Sequence, residues 1–202
     1  MLMIVDIGVG NLGSITNMFK KIGGKAVASD NPNDFLEATK IVLPGVGAFD
    51  EGMRRLKEQG FIETLNKRVL GDKVPVIGIC LGSQLLGKSS EEGERAGLGW
   101  IDMEVVRFPK DKGLRVPHMG WNVVNPVGNQ GIFAGVEGEL RYYFVHTYHM
   151  KCNNSKDIAG TTQYGDEFTS AIHHENIYGV QFHPEKSHRF GAALLKNFAE
   201  LP

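Results

Sequence analysis

Two rhythms of apolar and polar positions alternate along this chain. Residues 1–6, 25–28, 40–43 and 74–77 are short, largely apolar runs of the kind that form buried strands of a parallel sheet. The stretches between them repeat at helical spacing. Leu12, Ile15, Phe19 and Ile22 fall on one side of a helix, as do Phe61, Ile62, Leu65 and Val69, with a further helical segment at residues 53–59. Beyond residue 100 the pattern changes. Residues 101–107 alternate as a strand with Asp102 and Glu104 outward, residues 142–148 form an aromatic-rich strand, and residues 177–182 form a short strand after a hairpin bearing His173 and His174. Leu194, Leu195 and Phe198 mark a closing helix at residues 190–201. The expected architecture is a three-layer α/β sandwich, with a mainly parallel central sheet, helices on both faces and an antiparallel appendage in the second half. Residues 1–202 form a single domain in this reading.

Composition narrows the setting. With 22 Lys+Arg against 23 Asp+Glu, the formal net charge of -1 gives no electrostatic case for nucleic acid or an anionic membrane. Small molecules and proteins are the expected partners. Cys80 and Cys152 are too few for a disulfide framework, and neither a signal peptide nor a long apolar span is apparent, so a reducing, cytoplasmic setting is expected.

The chemistry gathers around Gly78-Ile79-Cys80-Leu81-Gly82-Ser83-Gln84. An apolar run leads into Cys80 and a helix-compatible segment, residues 84–88, leads out, so the cysteine falls on a strained strand-to-helix turn that exposes its sulfur. Helix N–H groups just beyond it favour a thiolate and an adjacent oxyanion. Far along the chain, Gln181-Phe182-His183-Pro184-Glu185 ends a strand with a histidine and a carboxylate two residues on. A cysteine nucleophile needs a base, and the base needs a group to fix its tautomer, so Cys80, His183 and Glu185 supply the full set. Pro44-Gly45-Val46-Gly47, after the strand at 40–43, is a glycine-rich loop at a ligand-binding sheet edge and a good place for oxyanion donors.

These motifs together resemble the class I glutamine amidotransferases, which release ammonia from L-glutamine, and imply a class I glutaminase-like fold with a flavodoxin-like core. Residues 117–122, 143–148 and 183–187 are further similar to the glutaminase-subunit family of imidazole glycerol phosphate synthase. The resemblance implies oxyanion and glutamine-binding roles for Gly45, Val46, Gly47, Leu81, Gln84, Thr147 and Tyr148. It implies no cofactor and no metal. It further implies a heterodimer with a (β/α)8-barrel cyclase subunit, contacted through Asn11, Met119, Trp121, Asn122 and Lys186. Ser83 stands where the family more often has methionine and Ile7 where tyrosine is common, which leaves a related branch serving surface-sugar amidination as an alternative acceptor of the ammonia.

A second function class competes. Gly8-Val9-Gly10-Asn11-Leu12-Gly13 formally matches a dinucleotide fingerprint, with Asp30 at about the expected separation, and would make the chain a nucleotide-binding module with an incidental Cys80. Asp6 interrupts the strand before those glycines, and that reading leaves the Cys-His-Glu set unexplained. Residues 89–99, with Glu91, Glu92 and Glu94, read as a solvated loop. Arg107, Lys110, Lys112 and Arg115 read as part of a mobile basic loop rather than a phosphate site. His146 and His149 lack the helix and glutamate of a zinc motif, and His173 and His174 point to opposite faces of a strand.

Overall fold

The computed structural model describes residues 1–109, 113–128 and 131–202. Lys110 and Lys112 of the basic stretch lie outside the described residues. The first half is built from strand and helix in turn: β1 (Leu2–Val5), α1 (Leu12–Lys21), β2 (Ala26–Ser29), β3 (Lys40–Gly45), α2 (Phe49–Glu58), α3 (Phe61–Leu65), β4 (Val76–Cys80) and a one-turn α4 (Leu81–Gln84). In the second half come β5 (Ser89–Ser90), β6 (Met103–Arg107), β7 (His118–Val123), β8 (Asn125–Pro126), β9 (Arg141–His146), β10 (Tyr148–Cys152), β11 (Ile158–Tyr164), β12 (Asp166–His174), β13 (Ile177–Val180) and α5 (His188–Glu200).

The main sheet runs β2-β1-β3-β4-β13-β12-β10-β6-β5. From β2 to β13 the neighbours are parallel; from β13 to β6 they are antiparallel. Strand alternation sorts the core into two layers. Leu2, Ile4, Ile77 and Val180 pack with Ile15 and Phe19 of α1 and Leu194, Leu195 and Phe198 of α5. Met3, Val5, Val76 and Ile177 pack on the opposite face with Met53 and Leu56 of α2 and Phe61 and Leu65 of α3. Each face of the parallel region therefore has its own helical cover, which is why these strands are apolar without alternation.

Two local expectations change and a third is refined. The helix after Cys80 is a single turn, because Gly87 lies against the Met103 carbonyl and Lys88 N–H already donates to it at 2.9 Å. The aromatic stretch at 142–148 is two strands divided at Thr147: β9 pairs with β7 in a separate two-stranded sheet, and β10 joins the main sheet. The segment 89–99 is largely exposed, as a solvated loop should be, but it is tied down: Ser89–Ser90 pair with β6, and Asp50 at the start of α2 accepts the N–H groups of Glu94 and Arg95. Among the described residues no helix is long and apolar enough to cross a membrane.

Three adjacent parallel strands decide where chemistry can occur. Gly45 at the end of β3 stands level with Cys80 at the end of β4, and Val180 at the end of β13 stands level with Ile79. The loop after β3, the turn at Cys80 and the segment after β13 therefore leave the sheet side by side, at the carboxyl edge where open α/β sheets bind ligands.

Candidate active site

Cys80 adopts φ 53°, ψ -111°, a conformation that a residue with a Cβ holds only when its surroundings enforce it. The neighbouring glycines do so. A Cβ on Gly82 would lie 1.7 Å from the Leu43 carbonyl oxygen, and one on Gly78 would lie 2.6 Å from Ser83 Cα. Strand β3 and the turn thus press directly on each other's backbone. Ser83, fully buried, donates its hydroxyl to the Cys80 carbonyl at 2.7 Å and holds the strained peptide. Ile7, the other departure, is buried in the core beneath α2, and its carbonyl accepts from Arg55 Nη1 at 2.9 Å.

His183 and Glu185 follow β13. The backbone of His183 is fixed because its N–H donates to Tyr143 O of β9 at 2.9 Å, while Ser187 Oγ donates to its carbonyl at 2.6 Å and accepts from Tyr143 N–H at 3.0 Å. Its ring Nδ1 lies 2.8 Å from Glu185 Oε1, and the two side chains are 2 % and 1 % exposed. Nε2 is left without a hydrogen-bond partner and is the nitrogen available to the Cys80 sulfur. Burial alone would pull the His183 pKa down; the Cys80 sulfur and the Glu185 carboxylate outweigh it and push it up to about 10. Between an anionic sulfur and the Glu185 carboxylate the ring therefore favours its imidazolium form, which can donate from both nitrogens.

A cavity of about 400 Å³ opens over these groups, lined by Cys80, His183, Val46, Gly47, Leu81, Gln84, Thr147 and Tyr148 together with Glu92, Pro117, Val145 and His146. Of the anticipated binding set only Gly45 is not in its wall. It lies beneath, where a Cβ would come 2.9 Å from that of Leu81. Glu92, Pro117, Val145 and His146 lie outside that set. Glu92 Oε2 accepts the Phe49 N–H at the start of α2 at 2.9 Å, which brings a carboxylate into the cavity wall.

Behind the cavity lies a buried histidine pair. Tyr148 O can only accept, so His146 Nδ1, 2.8 Å away, carries a proton and Nε2 accepts. His118 Nδ1 must then donate to His146 Nε2 at 2.9 Å, and His118 Nε2 accepts from Asn122 Nδ2 at 3.2 Å. Burial depresses both rings, His118 to about 4 and His146 to about 3. Their neutral forms belong to the fold, so the stability they contribute is complete above the unfolded value near 6.5 and is lost as pH falls toward 4 and 3. Unfolding in denaturant is expected to show a loss on the order of 1–2 kcal/mol per ring by pH 5. In His118→Phe the slope below pH 6.5 should be shallower; an unchanged slope would contradict the assignment.

The anticipated partner-facing residues separate into two kinds. Met119 and Trp121 on β7 are 62 % and 42 % exposed, with Trp121 stacked on His188 at 5.3 Å and Lys186 over the ring of Tyr143 at 5.6 Å. Asn122 instead turns its amide inward to His118 and the Gln163 carbonyl, and Asn11 caps α1 by accepting from Ser14 N–H. In the glycine loop at residues 8–13 the Arg55 guanidinium reaches Gly8, where a Cβ would lie 2.4 Å from Arg55 Nη1.

The family model for glutamine amidotransferase class-I matches residues 3–201. Among curated proteins, the imidazole glycerol phosphate synthase subunit HisH 2 of Pseudomonas aeruginosa is 50 % identical over 201 residues, covering 100 % of both chains. HisH 2 of Methanococcus maripaludis is 50 % identical over 198 residues, covering 98 % of each, and HisH of Bdellovibrio bacteriovorus is 48 % identical over 204 residues, covering 100 % of each. Among solved structures, a glutamine amidotransferase superposes with TM-score 0.78 at 18 % identity, covering 98 % of this chain and 97 % of that one. A glutamine amidotransferase from Thermotoga maritima does so with TM-score 0.66 at 21 % identity, covering 98 % and 80 %. At such identities the structural likeness concerns the fold alone.

Proposed function

Because the chain belongs to the class-I glutamine amidotransferases and, within them, to the HisH subunits of imidazole glycerol phosphate synthase, we propose that it hydrolyses the side-chain amide of L-glutamine and passes the ammonia to a cyclase subunit in histidine biosynthesis. The observation that carries the chemistry is the convergence of Cys80 with the His183–Glu185 pair, at the ends of neighbouring strands, in one cavity.

Cys80 sulfur attacks the amide carbon, forming the S–C bond. The imidazolium of His183 gives its Nε2 proton to the departing nitrogen as the C–N bond breaks, leaving a thioester and ammonia. Neutral His183 then takes a proton from water, the hydroxide adds to the thioester, and the S–C bond breaks to release glutamate. Glu185 accepts from Nδ1 throughout and keeps the ring in the orientation this exchange needs. Leu81 N–H, at the first position of α4 and so without an intrahelical acceptor, and an N–H from Val46 or Gly47 donate to the oxyanion. Both hydrogens of Gln84 Nε2 are taken by Tyr148 O and Gln181 Oε1, so its Oε1 is the end left for substrate. Glu92 supplies the negative charge that the substrate ammonium requires. Ammonia released into open water would be protonated and lost, so the cavity works docked against a (β/α)8-barrel cyclase in the cytoplasm. Met119, Trp121 and Lys186 serve as its anchors, in an interface of about 1,200–2,000 Å².

Selective labelling tests the site. A glutamine-like chloroketone should modify Cys80 and spare Cys152, whose thiol is pushed up to about 12 by burial and the nearby Asp157 carboxylate. Mass spectrometry finding equal modification of both cysteines would contradict the reading.

A further inference from the structure

Gln181 precedes the histidine motif by two residues and is fully buried. Its backbone follows directly on Val180, which stands level with Ile79, so its side chain comes level with Cys80. A buried carboxamide must satisfy both its ends, and the partners here fix which end points where. Tyr148 O accepts only, and it already receives His146 Nδ1–H at 2.8 Å. Gln84 lies 3.0 Å from the same carbonyl and must therefore present its nitrogen to it. That nitrogen gives its second hydrogen to Gln181 at 3.1 Å, which requires the Gln181 oxygen on that side. The Gln181 NH2 group is thereby left facing Cys80 Sγ at 3.9 Å. The amide cannot reverse without setting two NH2 groups against each other and a carbonyl oxygen against the sulfur.

We propose that Gln181 is a catalytic residue: its side-chain N–H donates to the Cys80 thiolate, and a relay from the Tyr148 carbonyl through Gln84 locks it in that sense. The proposal rests on Cys80 being the nucleophile. It gives the sulfur a neutral donor besides the charged ring of His183, which must lend its proton to the leaving nitrogen. While His183 is neutral, Gln181 is the donor that remains on the sulfur. A thiolate returning from the collapsing thioester is received by an N–H already in place.

Three variants separate this from a merely structural role. Gln181→Met keeps length and volume and removes the donor; Gln181→Glu places a carboxylate against the sulfur; Gln181→Asn keeps the amide but withdraws it. Alkylation of Cys80 by iodoacetamide at pH 7 should slow by about 10-fold in the Met variant and further in the Glu variant, as expected for loss of a charge-assisted hydrogen bond. In glutamine turnover kcat should fall in parallel, with KM within about twofold, the pattern of a contact made to the reacting group. Thermal midpoints follow folding independently, and the Met variant carries the test if the Glu variant does not fold. Alkylation and kcat at parental values in Gln181→Met would overturn the proposal while leaving Cys80 as nucleophile. If Cys80→Ala retained parental turnover, the underlying reading would fail instead.

Discussion

Cys80→Ala is expected to lower glutamine hydrolysis by about 10⁴-fold or more while leaving the fold intact. The two halves of that expectation come from different physics. In the proposed mechanism turnover depends on forming an S–C bond, and no other cavity-lining side chain carries a thiol to form it in place of Cys80. Stability should change little, because cysteine and alanine both carry a Cβ and bear the same strain at φ 53°, and the sulfur fills only a small volume at the cavity floor. A variant that still released ammonia at the parental rate would contradict the mechanism. One that had lost its thermal transition would show the sulfur to be structural.

The second large effect concerns Gly82. Its missing side chain leaves room for the Leu43 carbonyl, and a Cβ would sit 1.7 Å from that oxygen and 2.7 Å from its carbon. Both are backbone atoms of β3 and cannot rotate away as a side chain would. Gly82→Ala must therefore part β3 from the turn or rebuild the turn, with a cost of about 3 kcal/mol or more and loss of turnover. Gly13→Ala is the matched comparison. It occupies an exposed position on α1 where the added carbon would meet no neighbouring element within 4 Å, and should raise stability by about 0.5–1 kcal/mol. Denaturant midpoints for the two variants moving together would contradict the close approach at Gly82.

The elbow and the histidine motif were legible because each is local. Glycines flanking Cys80 and a His-Pro-Glu turn after an apolar run report backbone geometry in a few adjacent residues, and parallel strands then bring their carboxyl ends to one edge. What sequence reading missed depends on contacts across long separations. Glu92 looked like one of several solvated carboxylates, yet its oxygen is held by Phe49 N–H, 43 residues earlier. Gln181 read as an ordinary strand position, although its partners Gln84 and Cys80 are 97 and 101 residues away. His146 read only as half of a failed zinc motif; its role follows from the Tyr148 carbonyl and His118, which meet it through a chain bend and a strand pair. The helix after Cys80 was overestimated because residues 84–88 have acceptable helical composition, and only packing against Met103 ends it after one turn. The glycine loop at 8–13 carried a false signal: three glycines at dinucleotide spacing serve a turn into which Arg55 reaches.

In the proposed pathway the chain serves its cyclase by delivering ammonia. That role is tested most directly by assembling Cys80→Ala with the cyclase and its nucleotide substrate, and following formation of imidazole glycerol phosphate with glutamine or with ammonium salt at alkaline pH. Synthesis should fail with glutamine and proceed at close to the parental ammonium-dependent rate with ammonium. Synthesis that persists with glutamine, or that ammonium does not restore, would contradict it.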